Sequence, residues 1–193
     1  MGLSIGMKEW SAVVQALGTG QQTLMLRGYP SKHAEFLLYP TFSFYTSTKS
    51  LPGVFENRFQ SKYVDMAKEA GETTAARARE FYVDIEYWAE LDELFAVEKD
   101  NLRDLSKHFM WSLDHIEDYE AKCRQGLFIW LVRVHRLPKP IAVGRIASGG
   151  VPNIYRHPDE ISTVGSTPVL PDEDFKVQKD SILLKSGYRA KKK

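Results

Sequence analysis

The stretch Phe81-Tyr82-Val83-Asp84-Ile85-Glu86-Tyr87-Trp88-Ala89-Glu90 decides the reading of the fold. Phe81, Val83, Ile85, Tyr87 and Ala89 alternate with Tyr82, Asp84, Glu86, Trp88 and Glu90, and a period of two predicts a strand with one face in the core and the other in water. Leu127 to Leu137 is apolar on both faces over its first half, which predicts a central strand, until Arg133, His135 and Arg136 interrupt it. Two shorter strands are expected at Gln22 to Arg27, with Thr23, Met25 and Arg27 on one face, and at Phe36-Leu37-Leu38-Tyr39, ended by Pro40. Pro138-Lys139-Pro140 forces an extended exit from the long strand, with Ile141, Val143 and Ile146 as a last strand.

Helices are expected between these strands. Trp10, Val13, Val14 and Leu17 recur at helical spacing before Gly18-Thr19-Gly20 stops the run. Residues 42–79 begin as a Ser/Thr-rich loop with Pro52-Gly53 and continue with Phe59, Tyr63, Met66, Ala67 and Ala70, a helical insertion between strands. A helix is expected at about Asp100 to Phe109, and another from Asp114, which with Glu117 makes a capping box. Strands with only one or two helical interruptions suit a small curled or closed sheet better than repeated βαβ units. The expectation is an α+β protein on a small mixed or antiparallel β-barrel with flanking helices. One domain would occupy residues 1–147, and residues 148–193 would be a proline-rich loop, a short helix from Asp172 to about Lys185 and a lysine tail.

The chain has 193 residues, 43% of them hydrophobic and 26% charged, so wholesale disorder and low complexity are excluded. Met1 to Lys8 lacks an apolar run of about 7 to 15 residues, and the location expected is cytoplasmic. The single cysteine, Cys123, and five histidines without an i, i+4 pair give no metal site, and no dinucleotide or phosphate-loop motif suggests a cofactor. The net charge of +1 conceals a division along the chain. Glu80 to Glu120 holds thirteen Asp/Glu against three Lys/Arg, a net of −10, whereas Lys122 to Arg156 holds seven Lys/Arg and no acid. Such segregation can mark a surface for a polyanion, or a solvated acidic face beside a basic one.

Three stretches carry a family resemblance. Lys8-Glu9-Trp10-Ser11-Ala12-Val13-Val14-Gln15-Ala16-Leu17, Gln22-Thr23-Leu24-Met25-Leu26-Arg27 and Phe36-Leu37-Leu38-Tyr39-Pro40-Thr41 resemble the opening of the uncharacterised family called domain of unknown function 1802, and Trp130 to Pro138 resembles its closing strand. More distantly, Gly20, Gln22-Thr23-x-Met25-x-Arg27 and the later Phe128-Ile129-Trp130 running into Arg136-Leu137-Pro138-Lys139-Pro140-Ile141 are similar to the ASCH branch of the PUA-like superfamily. That resemblance implies a small β-barrel with a cleft and an association with RNA. Gly20, Thr23 and Arg27 match its Gly-x-Lys-Thr-x-Glu-x-Arg pattern, whereas Gln22 replaces the lysine and Met25 the glutamate. Gln22 is neither a titrating base nor a nucleophile, so no catalytic residue is assigned.

The function expected is nucleic-acid binding, RNA preferred, in a cleft beside the first helix. Thr23 and Arg27 would contact the ligand there, and Arg133, Arg136, Lys139 and Arg145 would add phosphate contacts. The alternative for Arg27 is an ion pair with Glu9 or Glu35. Trp10, Tyr39 and Trp130 offer either stacking faces or core, and Ser148-Gly149-Gly150 either an anion nest or a plain loop. Two other classes stay open. One is a hydrolase acting on a small modified nucleoside, or a metal-dependent nuclease built on Asp84, Glu86 or Asp118-x-Glu120-x-Lys122; the other is a protein-interaction module using the acidic 80 to 120 face.

Overall fold

The computed structural model describes residues 2–41, 53–145 and 153–188. Strand β1 (Gly2–Trp10) leads into helix α1 (Ser11–Gly18), followed by β2 (Leu24–Arg27) and β3 (Glu35–Thr41). Helices α2 (Val54–Arg58) and α3 (Val64–Arg79) fill the stretch expected to be helical, of which residues 42–52 lie outside the described residues. Strand β4 (Tyr82–Val97), short helices α4 (Leu102–Leu105) and α5 (Leu113–Glu120), and strand β5 (Leu127–Gly144) come next. The chain ends in β6 (Ile154–Ser162), β7 (Thr167–Pro168) and α6 (Asp172–Lys185).

One mixed sheet holds every strand, in the order β2-β5-β4-β3-β1-β6, with β7 added to β5. Only β1 and β3 run parallel. The sheet is not closed into the expected barrel. Its end strands β2 and β6 do not pair with each other, and beyond the four residues of β2 the edge of β5 is taken by β7, at His135 and Arg136. No helix among the described residues is long and apolar enough to cross a membrane.

The strand that decides the sequence reading exists but does not keep one face. The β4–β5 register shifts between Ile85, opposite Ile141, and Tyr87, opposite Arg136, so two residues of β4 pass five of β5, and the irregularity turns the β4 side chains that follow to the other side. Val83 and Ile85 therefore join a core made by strands alone, with Leu3, Leu37, Tyr39, Leu137, Val143 and Ile161. Tyr87 and Ala89 join the larger core under the helices, with Val13, Leu17, Met25, Phe36 and Trp130. Trp88, expected to meet water, is buried in the strand core, and Phe81, expected inside, is exposed.

Other departures have local causes. Ser112, not Asp114, caps α5, accepting the His115 N–H at 3.2 Å. β5 runs unbroken through Pro138 and Pro140, where a separate last strand was expected. Residues 154–162, expected as loop, pair with β1 as an exposed edge.

Tyr87 reaches the larger core by lying against Gly18 at the end of α1, where an added Cβ would overlap its ring. Gly18→Ala is expected to cost about 1–3 kcal/mol of stability through overpacking. Urea unfolding measures this, and an unchanged midpoint would show that the ring can yield.

Candidate nucleic-acid interface

The residues expected to contact the ligand fall into three groups. Arg27 ends β2 and is buried: its Nη2 lies 2.9 Å from Glu9 Oε2, with side chains 10% and 6% exposed, and also donates to the Lys8 carbonyl at 2.9 Å. Its guanidinium sits 5.8 Å from the Trp130 ring centre. Glu9 is held in turn by the Trp10 backbone N–H at 2.7 Å. Arg27 is thus part of the packing, paired with Glu9. Trp130 and Tyr39 are buried, and Trp10 is half-buried against Phe59 and Trp111, so none of the three presents an open stacking face.

Thr23 lies where the family resemblance implies a cleft, with Arg133 beside it, but the chain's own C-terminal segment fills the place. Thr23 Oγ1 donates to Gln178 Oε1 at 3.1 Å, and Gln178 Nε2 donates to the Gly20 carbonyl at 3.1 Å, so one amide of α6 bridges both motif residues. Gly20 has φ +72°, and Leu170 presses on it so closely that a Cβ would sit 2.5 Å from a Leu170 methyl. Arg133 pairs with Asp172 in the first turn of α6 and lies 5.0 Å from the centre of the Phe175 ring. The space left among these groups is about 10 Å³, room for no more than about one water. Gln22 donates to the Leu24 carbonyl at 2.6 Å and accepts from the Met110 N–H at 3.1 Å, so both ends of its amide are occupied.

Arg136, Lys139 and Arg145 are exposed along the second half of β5 and just past its end. Arg136 donates to the Tyr87 hydroxyl at 2.8 Å, and the Arg145 guanidinium lies 3.5 Å from the Ala78 carbonyl at the end of α3. Tyr87 faces an open groove of about 290 Å³ between α1, α3 and β4 that the sequence did not disclose. Ser11, Val14 and Gln15 form one wall of the groove, Ala70 and Thr73 another, and Glu69, Asp84 and Glu86 bring carboxylates to it. Arg77, also on its wall, is fixed by Asp84 at 2.9 Å and by Glu80. Burial, then the Glu86 charge, raises the Tyr87 pKa, while Arg136 opposes them. Tyr87 therefore stays a neutral acceptor for Arg136 at ordinary pH.

The nuclease carboxylates do not assemble. Asp84 is engaged by Arg77, while Asp118 and Glu120 stand on α5 with Lys122 in the turn after it. No three His, Cys, Asp or Glu side chains among the described residues come together as metal ligands. Ser148-Gly149-Gly150 lies outside those residues.

The family model described as "Domain of unknown function (DUF1802)" matches residues 6–181. The chain belongs to that family. Among curated proteins, none matches it significantly. Among solved structures, one titled as the crystal structure of ASCH from Zymomonas mobilis is similar at a TM-score of 0.43 and 13% identity, covering 92% of this chain and 93% of that one. A likeness of that size transfers no residue role from one chain to the other.

Arg27→Ala would leave Glu9 buried without its partner, with an expected loss of about 3–5 kcal/mol in urea unfolding; a near-neutral effect would show that water reaches Glu9. A second expectation concerns His115, which packs on Trp111 and accepts at Nδ1 from Arg58 Nη1 at 3.1 Å. Burial first, then Arg58 and Lys122, against Asp118, lowers its pKa from 6.5 to about 4. In that window the unfolded chain takes up a proton that the folded chain refuses, so stability falls as pH drops from about 6.5 toward 4. Unfolding midpoints across this range should fall less steeply in His115→Gln, and parallel profiles would contradict the assignment.

Proposed function

We propose that the protein binds nucleic acid, with RNA the first ligand to test, through phosphate contacts from Arg136, Lys139 and Arg145. The observation that carries this reading is the character of β5: from Leu127 to Gly144 it contains no acidic residue, and its cations after Arg133 are exposed. Arg133 is excluded from the contact set because Asp172 and Phe175 already engage it. Thr23 and Arg27 serve the fold, one under α6 and the other against Glu9. The carboxylates of the groove beside α1 repel a phosphate backbone, so the strand is expected to follow the rim at Arg136, not the groove floor.

Fluorescence anisotropy with a labelled 20-nucleotide oligouridylate, repeated at several salt concentrations, tests this. Each phosphate contact contributes about −0.7 to the slope of log K against log salt on single strands. Arg136→Gln, Lys139→Gln and Arg145→Gln combined should weaken binding and flatten the slope by up to about 2 units. No binding at low salt, or an unchanged slope in the triple variant, would overturn the proposal.

A further inference from the structure

The turn between α3 and β4 is built from an unsuitable residue. Phe81 has φ +68° and is the only non-glycine residue with positive φ among those described; glycines take that role at Gly20, Gly53, Gly126, Gly165 and Gly187. A left-handed backbone is unfavourable for any residue with a Cβ and most unusual for a bulky one. Burial of the ring gives no compensation, because Phe81 is 75% exposed. The backbone is tied on both sides: the Phe81 N–H donates to the Ala78 carbonyl at 3.1 Å, and its carbonyl accepts from the Arg145 N–H at 2.9 Å. A hydrogen-bonded turn therefore holds an aromatic ring out in solvent, at two local disadvantages that glycine would remove.

The residues beside Phe81 in this turn and at the end of α3 are aromatic and cationic. Tyr82 follows it, 47% exposed, with the Arg77 guanidinium 5.8 Å from its ring centre. Arg79, in the last turn of α3, is exposed, and Arg145 lies against the end of the same helix. The acid in this turn, Glu80, is paired with Arg77. Exposed rings set among arginines complement a chain that carries both phosphates and flat, unpaired bases.

We propose that Phe81 and Tyr82 are a stacking platform for unpaired bases, so that the nucleic acid bound is single-stranded. This rests on the phosphate-binding reading above and adds its substrate class, since Arg145 belongs to both. A duplex keeps its base faces stacked inside and has none to offer these rings, whereas a single strand lays successive bases on them.

The test compares three probes in the full chain: a mixed-sequence 20-nucleotide strand, its blunt duplex, and an abasic strand of equal charge. Phe81→Gly removes the ring while relieving the backbone, so it is expected to keep or raise the thermal midpoint, and a folding defect cannot mimic lost binding. Wild type should prefer the single strand to both other probes. Phe81→Gly with Tyr82→Ser should weaken single-strand binding roughly 5- to 50-fold, leave duplex and abasic binding unchanged, and keep the salt slope. Equal affinity for the three probes, or a double variant that binds the single strand as wild type does, overturns the platform and leaves the phosphate reading standing. Absence of binding to every probe at low salt overturns both.

Discussion

The irregularity between Ile85 and Tyr87 is the constraint on which the arrangement of this protein turns. In a regular ladder a strand sends alternate residues to fixed faces, and the odd-numbered residues of the sixteen in β4 would all line one core. The slip against β5 divides that strand. Before it, Val83 and Ile85 hold the sheet's own core together; after it, Tyr87 and Ala89 look toward the helices. Gly18 leaves the space that Tyr87 fills, which seats α1 on the sheet. The Tyr87 hydroxyl then fixes Arg136 at 2.8 Å, while Trp88, sent to the other side, stacks on His135 with ring centres 4.2 Å apart. The rim at Arg136 and the exposed turn at Phe81 lie on either side of that slip.

A motif can mark a place in a fold without marking an open site there. Gly20, Thr23 and Arg133 do converge, yet α6 supplies to them an amide, a carboxylate and a phenyl ring, the groups a ligand would bring. α6 is anchored well beyond that contact. Phe175 and Ile182 are buried, Lys179 reaches Asp92 at 2.6 Å, and Tyr188 after the helix donates to Glu93 at 3.2 Å. With apolar burial worth about 25 cal/mol per Å², two buried side chains and several polar contacts make this helix part of the domain's core.

Much of the element order is legible in the sequence, because α1 and the long strands rest on local periodicity. What escapes has physical reasons that a one-dimensional pattern does not carry. β1 does carry an apolar alternation in Leu3, Ile5 and Met7, but over a short run that Gly2 and Gly6 weaken, whereas β6 is an exposed edge with Pro158 inside it and shows no such alternation. The register slip is a property of two strands jointly, invisible in β4 alone. The role of Arg27 stays open in the sequence between ligand and ion pair, because its partner is set by the packing of β2 near the end of β1. Phe81 reads as core because a phenylalanine at an alternating position usually belongs there; nothing in its identity announces a positive φ.

The charge division along the sequence also acquires a spatial meaning. Its acidic and basic segments contribute β4 and β5, which are antiparallel neighbours, and Glu90 stands directly opposite Arg133. A simple expectation is that the two strands neutralise each other. Glu90 does come within 3.6 Å of His135, but burial lowers the pKa of that imidazole, so the contact neutralises little charge. Several other acids of the segment find cations elsewhere: Asp84 takes Arg77 from α3, Asp92 and Glu93 take Lys179 from α6, and Glu117 takes Lys99. Arg133 likewise turns away to Asp172. Asp84, Asp92 and Glu93 of β4 are thus engaged from helices, while Arg136 and Lys139 of β5 are exposed, so the second half of that strand carries its positive charge at the surface. The segregation read in the sequence thus reaches the fold with three acids of β4 turned toward α3 and α6 and the later cations of β5 left at the surface.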